Sequence, residues 1–130
     1  MENKYYLPKI EELHIGFECE IDQSEINKNF KWCEYVIGTD YENITIARAI
    51  SEVNKNGIRV KYLDRQDIES FGFKLFENMP SRFHYNKYEL DVDYLNVIRI
   101  EYDCNYIFKG KIKNKSELKK LLIQLEIINE

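Results

Sequence analysis

The chain has 130 residues, which suits one domain able to bury a core without disulfide or metal staples. Hydrophobic residues make up 44% and charged residues 32%, a globular composition that argues against a disordered chain or a membrane protein. The formal net charge of −4 argues against broad nucleic-acid binding, which needs Lys and Arg to displace counterions from phosphates.

From Leu13 to Ile21, apolar Leu13, Ile15, Phe17, Cys19 and Ile21 alternate with polar or small residues, which predicts a half-buried strand entered after Pro8. Residues 22–30 read as a polar loop. Phe30 to Ile37 suits a second strand, hairpinned with the first. Gly38 ends it. Thr39 stands three residues before Glu42, the spacing of a capping box, and Ile46, Ala49, Ile50 and Val53 follow at helical spacing. A helix over 41–55 is therefore expected, closed by Asn56-Gly57.

Ile58 to Leu63 reads as a strand. Asp64 can cap a short helix through Asp67-Ile68-Glu69-Ser70, with Gly72 as its stop. Phe73 to Phe76 is a short strand and Met79-Pro80-Ser81 a break. Residues 83–92, 96–103 and 106–112 read as three further strands, the last two joined tightly by Asp103-Cys104-Asn105. Ser116 is the expected cap of a final helix whose Leu118, Leu122, Leu121 and Leu125 form one apolar stripe. The expected fold class is α+β, a mostly antiparallel sheet with two main helices packed on one face, in a single domain over 1–130.

Cys19, Cys33 and Cys104 lack the spacing of a zinc or redox motif, so reduced thiols in a cytoplasmic protein are expected, with no cofactor. No apolar run approaches the ~20 residues of a membrane span, and Met1 to Pro8 does not read as a signal peptide. There is no Gly-rich phosphate loop and no nucleophile elbow.

Two charge patterns carry the functional expectations. Glu18, Glu20 and Asp22 share one strand face; Glu89, Asp91 and Asp93 share another; Glu101 and Asp103 repeat the pattern. Converging carboxylates could hold Mg²⁺ or Mn²⁺ for phosphodiester cleavage. A broad acidic face could instead imitate a phosphate backbone and dock on a basic groove of a partner. The plain alternative is the solvent side of amphipathic strands. The second pattern is Lys109, Lys111 and Lys113 in a strand, extended by Lys115, Lys119 and Lys120. It could contact RNA or DNA phosphates, or simply be a solvated face that deters edge pairing. Residues 1–105 carry 20 acids and 13 bases, and residues 106–130 carry three acids and six bases, so the body is acidic and the tail basic. His14 and His84 have no companion Ser, Cys or ligand motif, and structural roles are expected for them. Trp32, Tyr35, Tyr41, Tyr85, Tyr88 and Tyr94 suit either a core or interface anchors.

Three stretches carry a resemblance: Leu13-His14-Ile15-Gly16-Phe17-Glu18, Ile58 to Ser70, and Phe108 to Leu122. They resemble small uncharacterised proteins of Bacteroidetes phages and prophages. The resemblance implies a mobile-element origin and supplies no catalytic residues. With the charge patterns, it leads to the expectation of a non-enzymatic module that binds a host or phage protein. An inhibitor of a host defence system such as a CRISPR effector is its concrete form. A metal-dependent nuclease and a nucleic-acid-binding module are the alternatives.

Overall fold

A computed structural model describes residues 4–24, 31–39 and 43–129. Tyr41, Glu42 and Phe30 lie outside them. The strands form two antiparallel sheets rather than one, and the chain divides into two compact units, Met1–Tyr62 and Leu63–Glu130. The α+β class stands, with each main helix packed on one face of its own sheet. No helix among the described residues is long and apolar enough to cross a membrane.

In the first unit, the four-stranded sheet has the order β1-β4-β2-β3, from β1 (Tyr5–Tyr6), β2 (Glu18–Asp22), β3 (Trp32–Val36) and β4 (Ile58–Lys61). β1 is a strand that the sequence reading did not foresee. The strand expected from Leu13 starts only at Glu18. Ile10–Glu12 form a 3-10 turn, and Gly16 takes φ +93, a left-handed conformation that turns the chain before Phe17. Cys19, Ile21, Ile58 and Val60 point to one side, where Phe17, Ile37, Ile44 and Ala49 complete a buried cluster. Helix α1 (Ile46–Asn54) begins later than expected, because Thr45 is the residue whose side chain accepts the free Arg48 N–H. Ile44, β-branched and ill suited to a first helical turn, instead bridges Ile37.

In the second unit, helix α2 (Arg65–Ser70) is capped by Asp64 as expected, with Asp64 and Asp67 bonding each other's backbone N–H. The five-stranded sheet runs β5-β6-β7-β8-β9, from β5 (Lys74–Phe76), β6 (Met79–Tyr85), β7 (Tyr88–Val92), β8 (Val97–Tyr102) and β9 (Asn105–Lys111). Two expectations fail here. Met79-Pro80-Ser81 is the start of β6, not a break. Pro80 lies ahead of the first rung with β7, Arg82↔Asp91, and within the register shift against β5, so its missing N–H leaves no rung empty. Residues 83–92 are two strands, because Asn86 takes φ +53 and reverses the chain between Tyr85 and Tyr88.

Phe83, Leu90, Ile98 and Ile100 face one side and are essentially fully buried. Helix α3 (Lys115–Gln124) covers them with Leu118 and Leu122, both 0% exposed. Each such side chain contributes about 1.5–3 kcal/mol by leaving water. The cap of α3 is Asn114, whose Oδ1 accepts the Glu117 N–H at 2.8 Å. Ser116, the expected cap, lies one residue inside the helix.

Candidate functional site

Because the core takes one face of each sheet, strand periodicity sends the charged residues to the other. On the first sheet this outer face holds Glu18, Glu20 and Asp22 of β2, Trp32, Glu34 and Val36 of β3, Arg59 and Lys61 of β4, and Tyr5 of β1. Glu20 stands directly opposite Glu34, a like-charge pair that costs stability unless a cation intervenes. Arg59 supplies that cation, with its Nη2 2.9 Å from Glu20 Oε1. Its guanidinium carbon also lies 3.7 Å from the Tyr5 ring centroid and 4.3 Å from that of Trp32. The stacking fixes two aromatic rings on a surface that carries four carboxylates, with Lys61 and Val36 beside them. Glu18, Glu34 and Val36 are exposed beside them. Asp22 is held below the usual carboxylate range by the Ser24 backbone N–H and hydroxyl, against the effect of partial burial and with help from Lys31. On the inner face, burial and the Glu20 charge push the Cys19 thiol up to about 11, so it stays protonated at neutral pH.

On the second sheet the outer face is organised by Arg82. Its Nη1 donates to Asp91 Oδ2 at 2.6 Å, and its Nη2 to Glu101 Oε2 at 2.7 Å and to Glu89. Three strands supply these groups, and the registers Arg82↔Asp91 and Glu89↔Glu101 bring them together. The Glu89 hydrogen bond is the main cause that raises the Arg82 pKa; burial opposes it, and Glu101 and Asp91 add to it. Partial burial pulls the Glu101 carboxyl up. Hydrogen bonds from Arg82 and Tyr106, with the guanidinium charge, outweigh that and hold it below the usual range.

The eight acidic candidates are carried by two sheets, one in each unit. Glu18, Glu20 and Asp22 belong to the first unit. In the second, Glu89, Asp91 and Glu101 converge on Arg82, leaving a local charge of −2 from three carboxylates and one guanidinium. Asp93 is a turn residue whose Oδ1 accepts the Leu95 and Val97 N–H groups, and Asp103 sits in the β8–β9 turn with φ +50. Among the described residues no group of three or more His, Cys, Asp or Glu side chains is arranged to hold a metal ion. Where the carboxylates do converge, a guanidinium already occupies the space between them.

The lysine stripe is also divided. Lys109 and Lys111 lie on the outer face, opposite Arg99 and Val97 of β8. Lys119 and Lys120 are exposed on α3, which covers the inner face. Lys113 and Lys115 fall at the junction, where the Lys113 N–H donates to Glu117. His14 contacts the Phe17 ring, and His84 lies against Phe76. Tyr35 accepts a hydrogen bond from Gln23, Tyr85 and Tyr88 pack against the second core, and Tyr94 is 92% exposed at the β7–β8 turn.

The sequence reading missed Tyr5, Glu34, Arg59 as a stacked centre, and Arg82. Arg82 was hidden by the supposed break at 79–81. A signal was present: core parity runs Phe83, Tyr85 and then Tyr88, Leu90, Val92, which marks a two-residue turn and places Arg82 opposite Asp91. No protein-family model, no curated protein and no solved structure matches the chain.

Proposed function

We propose that the chain is a protein-binding module without catalytic activity, encoded by a phage or prophage, that acts in the bacterial cytoplasm. It docks on a basic surface of a host or phage protein through the outer face of its first sheet. A host defence effector such as a CRISPR nuclease, with its basic nucleic-acid channel, fits that description. The observation that supports this reading is the Tyr5–Arg59–Trp32 stack set among Glu18, Glu20, Asp22 and Glu34. Trp, Tyr and Arg are the residue types that most often anchor protein interfaces, and stacking fixes these three before any partner arrives. The surrounding carboxylates would steer the face toward positive charge. Internal pairing of Glu89, Asp91 and Glu101 with Arg82 is why the first sheet, and not the second, carries the reading.

Affinity purification from host lysate tests it, with the wild-type chain beside a Glu18→Lys, Glu34→Lys double variant. The wild type is expected to retain a partner that the folded variant loses, and the purified partner is expected to lose nucleic acid when the chain is added. Equal retention by both proteins rejects the face, and a partner whose nucleic-acid binding is unchanged rejects the channel.

A further inference from the structure

We propose that β9 accepts an extended acidic polypeptide segment as a sixth strand of the second sheet. β9 is the edge strand of that sheet, and Asn105, Tyr106, Ile107, Lys109 and Lys111 along it are exposed. An edge strand offers unused main-chain donors and acceptors on its outer side, which an extended peptide can take up. The cations beside it choose the partner. Arg99 and Lys109 stand directly opposite each other on the same face, with Lys111 two residues along. Like charges so placed cost stability. Among the described residues no ion pair relieves them, because Asp91, the other register neighbour of Arg99, is turned to Arg82. The outer face is thus polarised. Carboxylates gather around Arg82 toward its middle, and three unneutralised cations lie toward the β9 edge.

An added strand would place alternate side chains about 6.6–6.8 Å apart, the same repeat that separates Lys109 from Lys111. Two acidic residues at positions i and i+2 would each face one lysine. The residue between them would point to the other face, beside Phe108, whose ring lies over Gly110 so closely that a Cβ there would meet it at 2.9 Å. An acidic–apolar–acidic segment matches this surface. A nucleic acid would satisfy the cations but leave the main-chain edge unused, and its backbone would run toward the Glu101 and Asp91 carboxylates. The edge lysines would disfavour neutral or basic strands, including a second β9, and so confer selectivity.

Every residue in this proposal belongs to the second unit, so its test is separate from that of Glu18 and Glu34. The probe is a fluorescent eight-residue peptide of alternating Glu and Val, with two versions N-methylated on alternate residues in either phase. Anisotropy is expected to show binding by the parent peptide and by one methylated phase, with the other phase inactive. Lys109→Glu, Lys111→Glu should weaken the parent by about ten-fold or more while the melting curve stays cooperative. Equal binding by both methylated phases would mean charge contact without strand pairing and would overturn the proposal. So would tighter binding of an oligouridylate of equal charge, or no peptide binding at low salt.

Discussion

Arg82 receives more from the fold than any other charged residue described. Its five N–H donors form a planar fork, and three carboxylates on two neighbouring strands converge on it. Remove the guanidinium and those carboxylates face one another. Arg82→Met keeps the aliphatic stem and discards the charge. The side chain is 24% exposed, so solvent screens part of the effect, and a loss of about 1–3 kcal/mol is expected at pH 7. The loss should shrink toward pH 4, because protonation relieves the repulsion left behind. Urea denaturation of both proteins at the two pH values checks this; an equal loss at both would mean that packing of the stem, and not its charge, is what matters. A residue of this kind is hard to read from a sequence. Its role depends on register, and register depends on a turn at Asn86-Lys87 that carries no glycine. Asn56, by contrast, takes positive φ at a turn where Asn56-Gly57 already suggested a stop.

At the scale of an element, α3 shows how a helix can be legible while its first residue is not. The stripe of Leu118, Leu121, Leu122 and Leu125 fixes which face turns inward, and the structure buries Leu118 and Leu122 completely. The start is ambiguous because Asn114 and Ser116 both suit a cap. Spacing decides it. Asn114 stands three residues before Glu117, whose N–H it accepts and whose carboxylate reaches back to the Lys113 N–H. Three residues after Ser116 stands Lys119, which cannot accept a hydrogen bond in this way. The same competition occurred at α1, where Thr45 rather than Thr39 holds the cap. Asn114→Ala leaves the first-turn amides without their acceptor and is expected to cost about 1–2 kcal/mol, read as a lower thermal midpoint with unchanged helix content at 20 °C. An unaltered midpoint would show that the Glu117–Lys113 bond alone holds the first turn. Strand boundaries were less legible for a related reason. Alternation extends through turns such as Leu13 to Phe17, where side-chain pattern continues although the backbone has left the ladder.

Across the whole molecule, charge is distributed by the sheets and not by the sequence halves. The outer face of each sheet carries both acids and bases, and Arg59 and Arg82 pair locally with four of the carboxylates, Glu20, Glu89, Asp91 and Glu101. This has a consequence for pH. Asp22 in the first unit and Glu101 in the second both have carboxyls held below their usual range. A carboxyl with a lower pKa folded than unfolded binds fewer protons in the folded state. Protonation therefore favours unfolding. The stability these groups supply is complete above their unfolded values, about 3.9 for Asp and 4.3 for Glu, and is lost as pH falls through the folded values below them. The urea midpoint is expected to hold steady from pH 7 to 5 and to fall below about pH 4. Glu101→Gln removes one titrating group and should flatten that fall in proportion, and Arg82→Met should flatten it to a similar extent by releasing Glu101 toward its ordinary value. A midpoint that stays level down to pH 3 would mean that the hydrogen bonds to Asp22 and Glu101 persist equally in the unfolded chain. In that case the Arg82 cluster would owe its order to the strand register that assembles it, with no net contribution from its charges.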